Sequence, residues 1–161
     1  MAKKFINVFS AFIAVVLFVS ITVFWFVRDV SFDKNCSSYL KRAASANSVE
    51  TAKNELDKAL AYLEANNLTE GNSSMIVVYP SNDIGYWYRN LKDFSNEFET
   101  LTNASPLEQS NVLMKFHESL INNEENVKTP QDIEIFPYQK IFFILYLLII
   151  AFSMVFCFTY Y

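Results

Sequence analysis

"FINVFSAFIAVVLFVSITVFWFV", residues 5–27, decides the fold of this chain. It runs for 23 residues without a charge, between Lys3–Lys4 and Arg28–Asp29. As a helix it spans roughly 34 Å, enough for a bilayer core of about 30 Å. A second charge-free run, "IFFILYLLIIAFSMVFCFTYY", covers residues 141–161 and begins just after Lys140. In lipid a backbone must satisfy its own hydrogen bonds, so both runs are expected to be membrane-spanning helices.

A cleaved signal peptide fits the first run poorly. Its apolar part exceeds the usual length, and Trp25 and Phe26 stand where small residues would mark a cleavage site. A lipid-anchor signal at the C-terminus lacks the small-residue site and polar spacer. A buried soluble helix would not be apolar on every face, as the second run is.

Lys3 and Lys4 favour a cytoplasmic N-terminus, and two spans return the C-terminus to the same side, with Tyr160 and Tyr161 as interfacial anchors. The middle segment is then periplasmic or extracellular, and a bacterial inner membrane is the expected site. No residues are left beyond the second run for a cytoplasmic domain, so any output is expected to come from another protein.

The chain therefore divides into an N-terminal transmembrane helix (1–27), an extracytoplasmic helical domain (28–136) and a C-terminal transmembrane helix (137–161). The fold class expected is an all-α membrane protein, two transmembrane helices flanking an extramembrane bundle of three to four helices. Only two glycines and four prolines occur in 161 residues, which leaves little room for loops.

Within the middle segment, apolar and small residues recur from Cys36 to Leu63 at steps of three and four, making one helical face. The opposite face carries Lys41, Glu50, Lys53, Glu55, Asp57, Lys58 and Glu64 and is expected to be solvated. Either one long helix covers 31–66, or it breaks near Asn47, where Asn47 and Glu50 would form a capping box. Met75-Ile76-Val77-Val78-Tyr79 is a continuous apolar insert between Gly71 and Pro80. It is expected to lie across the helices as core, and its alternative is an exposed docking strip.

Helix two is expected from Asp83 to about Thr102, with Ile84, Trp87, Leu91, Phe94, Phe98 and Leu101 on a heptad-like seam. That seam makes Trp87 and Tyr88 core filler and leaves Tyr86 exposed, in line with Asn90, Asp93 and Glu97. Ser105-Pro106-Leu107-Glu108 is a capping box with proline in the first turn, so helix three starts there and is expected to end near Asn122. Residues 123–137 form a tether whose Ile133-Glu134-Ile135-Phe136 piece either lies on the membrane surface or packs on the base of the bundle.

Chemistry is hard to find. The single histidine, His117, has no second histidine to share a ligand and is expected at a surface or boundary. No phosphate-loop, zinc-protease, nucleophile-elbow or Cys-x-x-Cys pattern occurs. Carboxylates sit at helix-surface spacing, where nothing separates two pKa values for acid–base work. Of 13 Lys+Arg, two lie at Lys3 and Lys4, so 28–140 holds 11 against 17 Asp+Glu. That acidic balance disfavours nucleic acid as a partner. The spans carry no Asp, Glu, Lys, Arg or His, against an ion or proton path. Ser10, Ser20, Thr22 and Ser153 are candidates for hydrogen bonds between spans.

Cys36 and Cys157 lie too far apart to pair. Cys36 is expected as a buried thiol, with an intermolecular bridge as its alternative. Four Asn-x-Ser/Thr sites, at Asn35, Asn67, Asn72 and Asn103, would accept glycans in a eukaryotic secretory pathway.

The plan of span, helical bundle and span resembles the sensory half of bacterial chemoreceptors and sensor kinases, in architecture alone. The function expected is a non-enzymatic accessory or scaffold subunit, with no cofactor or metal, partnered by membrane lipid and by other membrane-complex subunits or by self-association. Candidate partner-binding residues are Tyr86 and Met75 to Tyr79. The alternatives are a ligand-sensing homodimer with a pocket near Tyr39, Trp87 and Tyr88, and a holin-like oligomer.

Overall fold

The computed structural model describes residues 2–160, with side chains described except at 2–8, 10, 102 and 155–160. The side chains of Ser10, Cys157 and Tyr160, and all of Tyr161, lie outside the described residues. The chain is all-helical, with no strand among the described residues. Helix α1 (Ala2–Phe32) passes through a π-turn (Asp33–Ser37) into α2 (Ser38–Ala44) without leaving helical backbone. This rod is long and apolar enough, by length and composition, to cross a membrane. The domain continues with α3 (Val49–Ala65), α4 (Ile84–Thr100) and α5 (Pro106–Leu120), and the chain closes with α6 (Gln139–Tyr160). Counting the rod once, these make five helices.

The rod stops at Ala44, so the uninterrupted helix over 31–66 does not form. The break falls where the alternative reading put it, but Ser48 is the cap rather than Asn47. The Ser48 hydroxyl accepts from the Thr51 backbone N–H, satisfying one of the free donors at the start of α3. α3 then folds back along the rod, with Ala43, Ala52 and Ala59 fully buried between them. These small side chains let the two backbones approach closely. Cys36 lies in the same packed cluster.

The pairing of ends fixes the level of every element. Ser31 Oγ meets Tyr62 Oη at 3.4 Å, and the Arg28 guanidinium donates to Asn66 Oδ1 at 3.4 Å, so α3 descends to the level where the charge-free run of α1 ends. α4 climbs again: Tyr88 pairs with Glu64, Ser95 with Asp57, and Lys53 with Glu99. α5 returns downwards against it, and Phe94, Phe98 and Phe116 meet edge to face with centroids 5.0 and 5.1 Å apart to Phe116. The core is thus a rod, α3, α4 and α5 standing on one end. α6 runs antiparallel to α1, where Phe24 touches Tyr138 and Phe142. Lower down, Phe9 and Leu17 face Leu148 and Phe152 across a wholly apolar cleft of about 280 Å³.

Several expectations are met residue by residue. Ile84, Leu91 and Phe98 are buried, and Trp87, Phe94 and Leu101 pack against them. Asp83 caps α4, accepting from the Tyr86 N–H at 2.8 Å. Ser105 and Glu108 form the capping box of α5.

Others are corrected. Ile133 and Ile135 are buried in a 3-10 turn, so the 133–136 piece packs on the base of the bundle rather than lying open to a membrane surface. The Arg28 guanidinium clamps it by donating to the Glu134 carbonyl at 2.9 Å. Glu55 is buried, not solvated, because Arg42 on the rod and Lys58 both reach its Oε1, at 3.1 and 2.7 Å. Ser20, Thr22 and Ser153 donate to carbonyls four residues back in their own helices instead of across to a neighbour.

Candidate functional site

A groove of about 340 Å³ lies between α4, α5 and the segment that follows α5. Its floor is Trp87, Leu91, Phe94 and Leu120, and its rim is Asn90, Asp93, Glu97, Lys115, Ser119 and Lys128. Local chemistry fixes each wall. The Asp83 cap starts α4 so that the seam faces the core while Asn90, Asp93 and Glu97 stand one stripe further round. The Trp87 indole N–H donates to the Lys128 carbonyl at 2.9 Å, closing the lower end. Lys128 is itself held by its N–H on the Leu120 carbonyl at 2.7 Å and its ammonium on the Glu118 carbonyl at 2.7 Å. Lys115 lies 5.4 Å from the Phe94 ring centroid and 3.5 Å from Glu97 Oε2. The result is an apolar floor with a mixed-charge rim.

Tyr86 is exposed and stands one turn before Asn90 on the stripe that walls this groove. Sequence reading named Tyr86 but not Asn90, Asp93, Lys115 or Lys128 as site residues. The stripe was visible in the spacing, whereas the approach of Lys128 depends on a bridge between Ile121 and Val127 that no local pattern announces. Of the three aromatics expected around a ligand pocket, Trp87 alone lines the groove. Arg42 and Lys58 lie 5.8 and 5.6 Å from the Tyr39 ring centroid, and Tyr88 donates its hydroxyl to Glu64 at 2.6 Å, away from the groove. That bond and the neighbouring Lys92 hold the Glu64 carboxyl below its usual range.

The apolar insert is not core. Ile76, Val77, Val78 and Tyr79 are 71%, 56%, 73% and 56% exposed. Met75 is half-buried, so the alternative of an exposed strip is the one the geometry gives. The strip is nonetheless well fixed. Asn72 donates from Nδ2 to the Tyr79 carbonyl at 3.0 Å and accepts from the Ser74 N–H at 2.9 Å. Tyr79 N–H donates to Ser74 Oγ at 3.2 Å.

The remaining candidates stand apart from the groove. His117 Nδ1 lies 3.0 Å from the Ala44 carbonyl at the end of α2, so the imidazole serves a helix terminus and stands apart from the groove. No cluster of three or more His, Cys, Asp or Glu that would suit a metal is found among the described residues. Cys36 is fully buried, and burial pushes its thiol well above the ordinary range. The folded protein is expected to leave Cys36 unmodified by a maleimide over hours and to react fully once denatured. Rapid labelling of Cys36 in the native protein, read by peptide mass spectrometry, would contradict this packing.

At the base, burial raises the Glu134 carboxyl above the ordinary carboxylate range, and Asp132 and Asp29 add repulsion against a counteracting backbone hydrogen bond. A raised folded pKa means the folded state holds the proton more tightly than the unfolded chain does. That contribution is fully present below the unfolded value of about 4.3 and is lost as pH rises through the folded value. Glu134→Gln is therefore expected to stabilise the protein at pH 7 relative to pH 4 and to flatten the stability curve between the two. Parallel urea midpoints for parent and variant across that range would refute the assignment.

Comparison with models of known protein families, with characterised proteins and with solved structures found no match.

Proposed function

We propose that the protein is a two-pass membrane protein and a non-enzymatic accessory subunit, whose helical domain binds a partner subunit in the α4–α5 groove. In this reading α1 and α6 both cross the bilayer, the termini are cytoplasmic and the domain stands on the periplasmic or extracellular side. Three things support the spans: the two charge-free runs, their antiparallel contact, and lipid-facing surfaces that are apolar all round. The single observation that carries the binding role is the groove itself. A fixed apolar floor ringed by Asn90, Asp93, Lys115 and Lys128 is what a partner's anchoring side chain requires. Tyr86 extends the same wall with an exposed aromatic.

The test is gentle extraction from native membranes, followed by mass spectrometry and determination of the particle mass. A foreign polypeptide in fixed ratio is the expected result. Asn90→Arg, an exposed rim change that fills the groove, is expected to reduce that recovery at least about tenfold while leaving the folded domain intact, as loss of one anchoring contact costs about 1.4 kcal/mol or more. Equal recovery with Asn90→Arg removes the groove from the interface. A second reading, a ligand-sensing homodimer, draws support from the groove's size, which falls in the range of small-molecule pockets. A particle of identical chains that retains a small molecule would favour it over the accessory subunit.

A further inference from the structure

We infer that Met75–Tyr79 is a third contact with the bilayer, a preformed apolar loop seated in the lipid interface beside α6. The inference rests on the reading that α1 and α6 span. The loop's level in the fold carries it. The Asn72 carbonyl accepts from the Gln139 side-chain amide at 3.4 Å, and Gly71 lies against the Phe136 ring. Gln139 is separated from the charge-free run of α6 only by Lys140. Three Cα-to-Cα steps, about 10 Å at full extension, lead from Asn72 to Met75. The interfacial zone reaches about 5–8 Å beyond the hydrocarbon on each side, so the strip lies within reach of it and cannot stand at the far end of the domain.

The loop's chemistry suits that place. No charge occurs from Gly71 to Asn82. Three exposed aliphatic side chains are followed by Tyr79, and exposed Tyr138 stands at the head of α6. Aliphatic tips with tyrosines at headgroup level are the composition of a membrane interface. The neck of the loop is closed by Ser73 N–H on the Asn82 carbonyl at 3.0 Å and Ile84 N–H on the Gly71 carbonyl at 2.9 Å. The apolar side chains are thus held outward by hydrogen bonds made among the loop's own residues. Such an exposed patch, bordered on one side by Gln131 and Asp132, is costly in water and favourable in lipid. A third contact beside two spans would fix the domain's tilt on the membrane.

The experiment uses the full chain in phosphatidylcholine vesicles, in a Cys157→Ala background where buried Cys36 does not label. An environment-sensitive fluorophore is placed in turn at Val77→Cys, at Val19→Cys in α1 and at Leu107→Cys at the far end of the domain. Nitroxide-bearing lipid and aqueous iodide are the quenchers. The expected result is that lipid nitroxide removes most of the Val77 and Val19 signals and little of the Leu107 signal, with iodide doing the reverse. If Val19 is quenched from lipid but Val77 only by iodide, the strip faces water and the proposal falls while the spans stand. If Val19 is quenched from lipid and neither reagent reaches Val77, protein covers the strip and the proposal falls likewise. If Val19 escapes the lipid quencher, the membrane reading fails and takes the proposal with it.

Discussion

Phe98→Ala is expected to destabilise the helical domain by about 3–5 kcal/mol, the usual cost of truncating a buried aromatic. Phe98 is fully buried where α4 meets α5. It contacts Phe116 edge to face at 5.1 Å, and Phe94 closes the triangle at 5.0 Å to Phe116 and 6.4 Å to Phe98. Truncation removes apolar area, leaves a cavity bounded by two rings, and forfeits the ring-edge attraction. A small domain has about 5–15 kcal/mol in total, so roughly a fifth or more of its stability is at stake. The measurement is urea unfolding in detergent followed by Trp87 fluorescence, with Trp25→Phe to silence α1. The expected change is a large drop in midpoint at constant slope. A shift smaller than about 1 kcal/mol would mean that α5 is not held by this triangle.

That triangle was half legible in the sequence. The seam of α4 is a run of steps of three and four, and Phe94 and Phe98 fall on it. The capping box at Ser105 announced where α5 begins. Nothing local said that Phe116 would be the residue meeting them, because that depends on how far α5 descends beside α4. The same limit explains the errors. Ala43 to Val49 contains no glycine or proline, so the pattern permitted one unbroken helix, and only the Ser48 cap and the turn before it end the rod. Glu55 has the spacing of a surface residue on α3, and it is buried because Arg42 arrives from another element. Met75 to Tyr79 has the composition of a buried strand. It stays outside because Asn72 and Ser74 tie the loop to itself and no adjacent strand is there to receive it. The groove was legible only as the stripe through Tyr86, Asn90, Asp93 and Glu97. Its opposite wall is made of residues far along the chain.

Substitution at the chain's only two glycines is expected to have opposite consequences, and the contrast tests how the domain is joined to α6. Gly71 has φ +104°, a conformation L-residues rarely adopt, and a Cβ there would stand 2.6 Å from the tip of the Phe136 ring. Gly71→Val therefore meets backbone strain and a steric collision together, each costing about 1–3 kcal/mol. Phe136 is half-buried and packs against the core cluster, so a retreat of its ring loosens that packing. The loop and the head of α6 are expected to part, releasing the Asn72–Gln139 contact and exposing the base of the bundle. Gly85 has ordinary helical backbone in the first turn of α4, and the Cβ of alanine would meet Arg89 Nη1 at 3.2 Å and Asp83 Oδ1 at 3.3 Å. Arg89 is exposed and can swing aside, while replacing a helical glycine by alanine contributes roughly 0.5–1 kcal/mol. Gly85→Ala is thus expected to change stability by less than about 1 kcal/mol in either direction, the small shift required of the Asp83 cap offsetting the gain in helix propensity. Hydrogen exchange resolved to peptides separates the cases. Gly71→Val should lose protection at 66–84 and 131–139 while the upper ends of α3, α4 and α5 keep theirs, and Gly85→Ala should match the parent. Uniform loss across the domain in Gly71→Val would mean that the base does not open as a unit separate from the bundle. Unchanged protection would mean that Gly71 and Phe136 do not meet as closely as 2.6 Å demands.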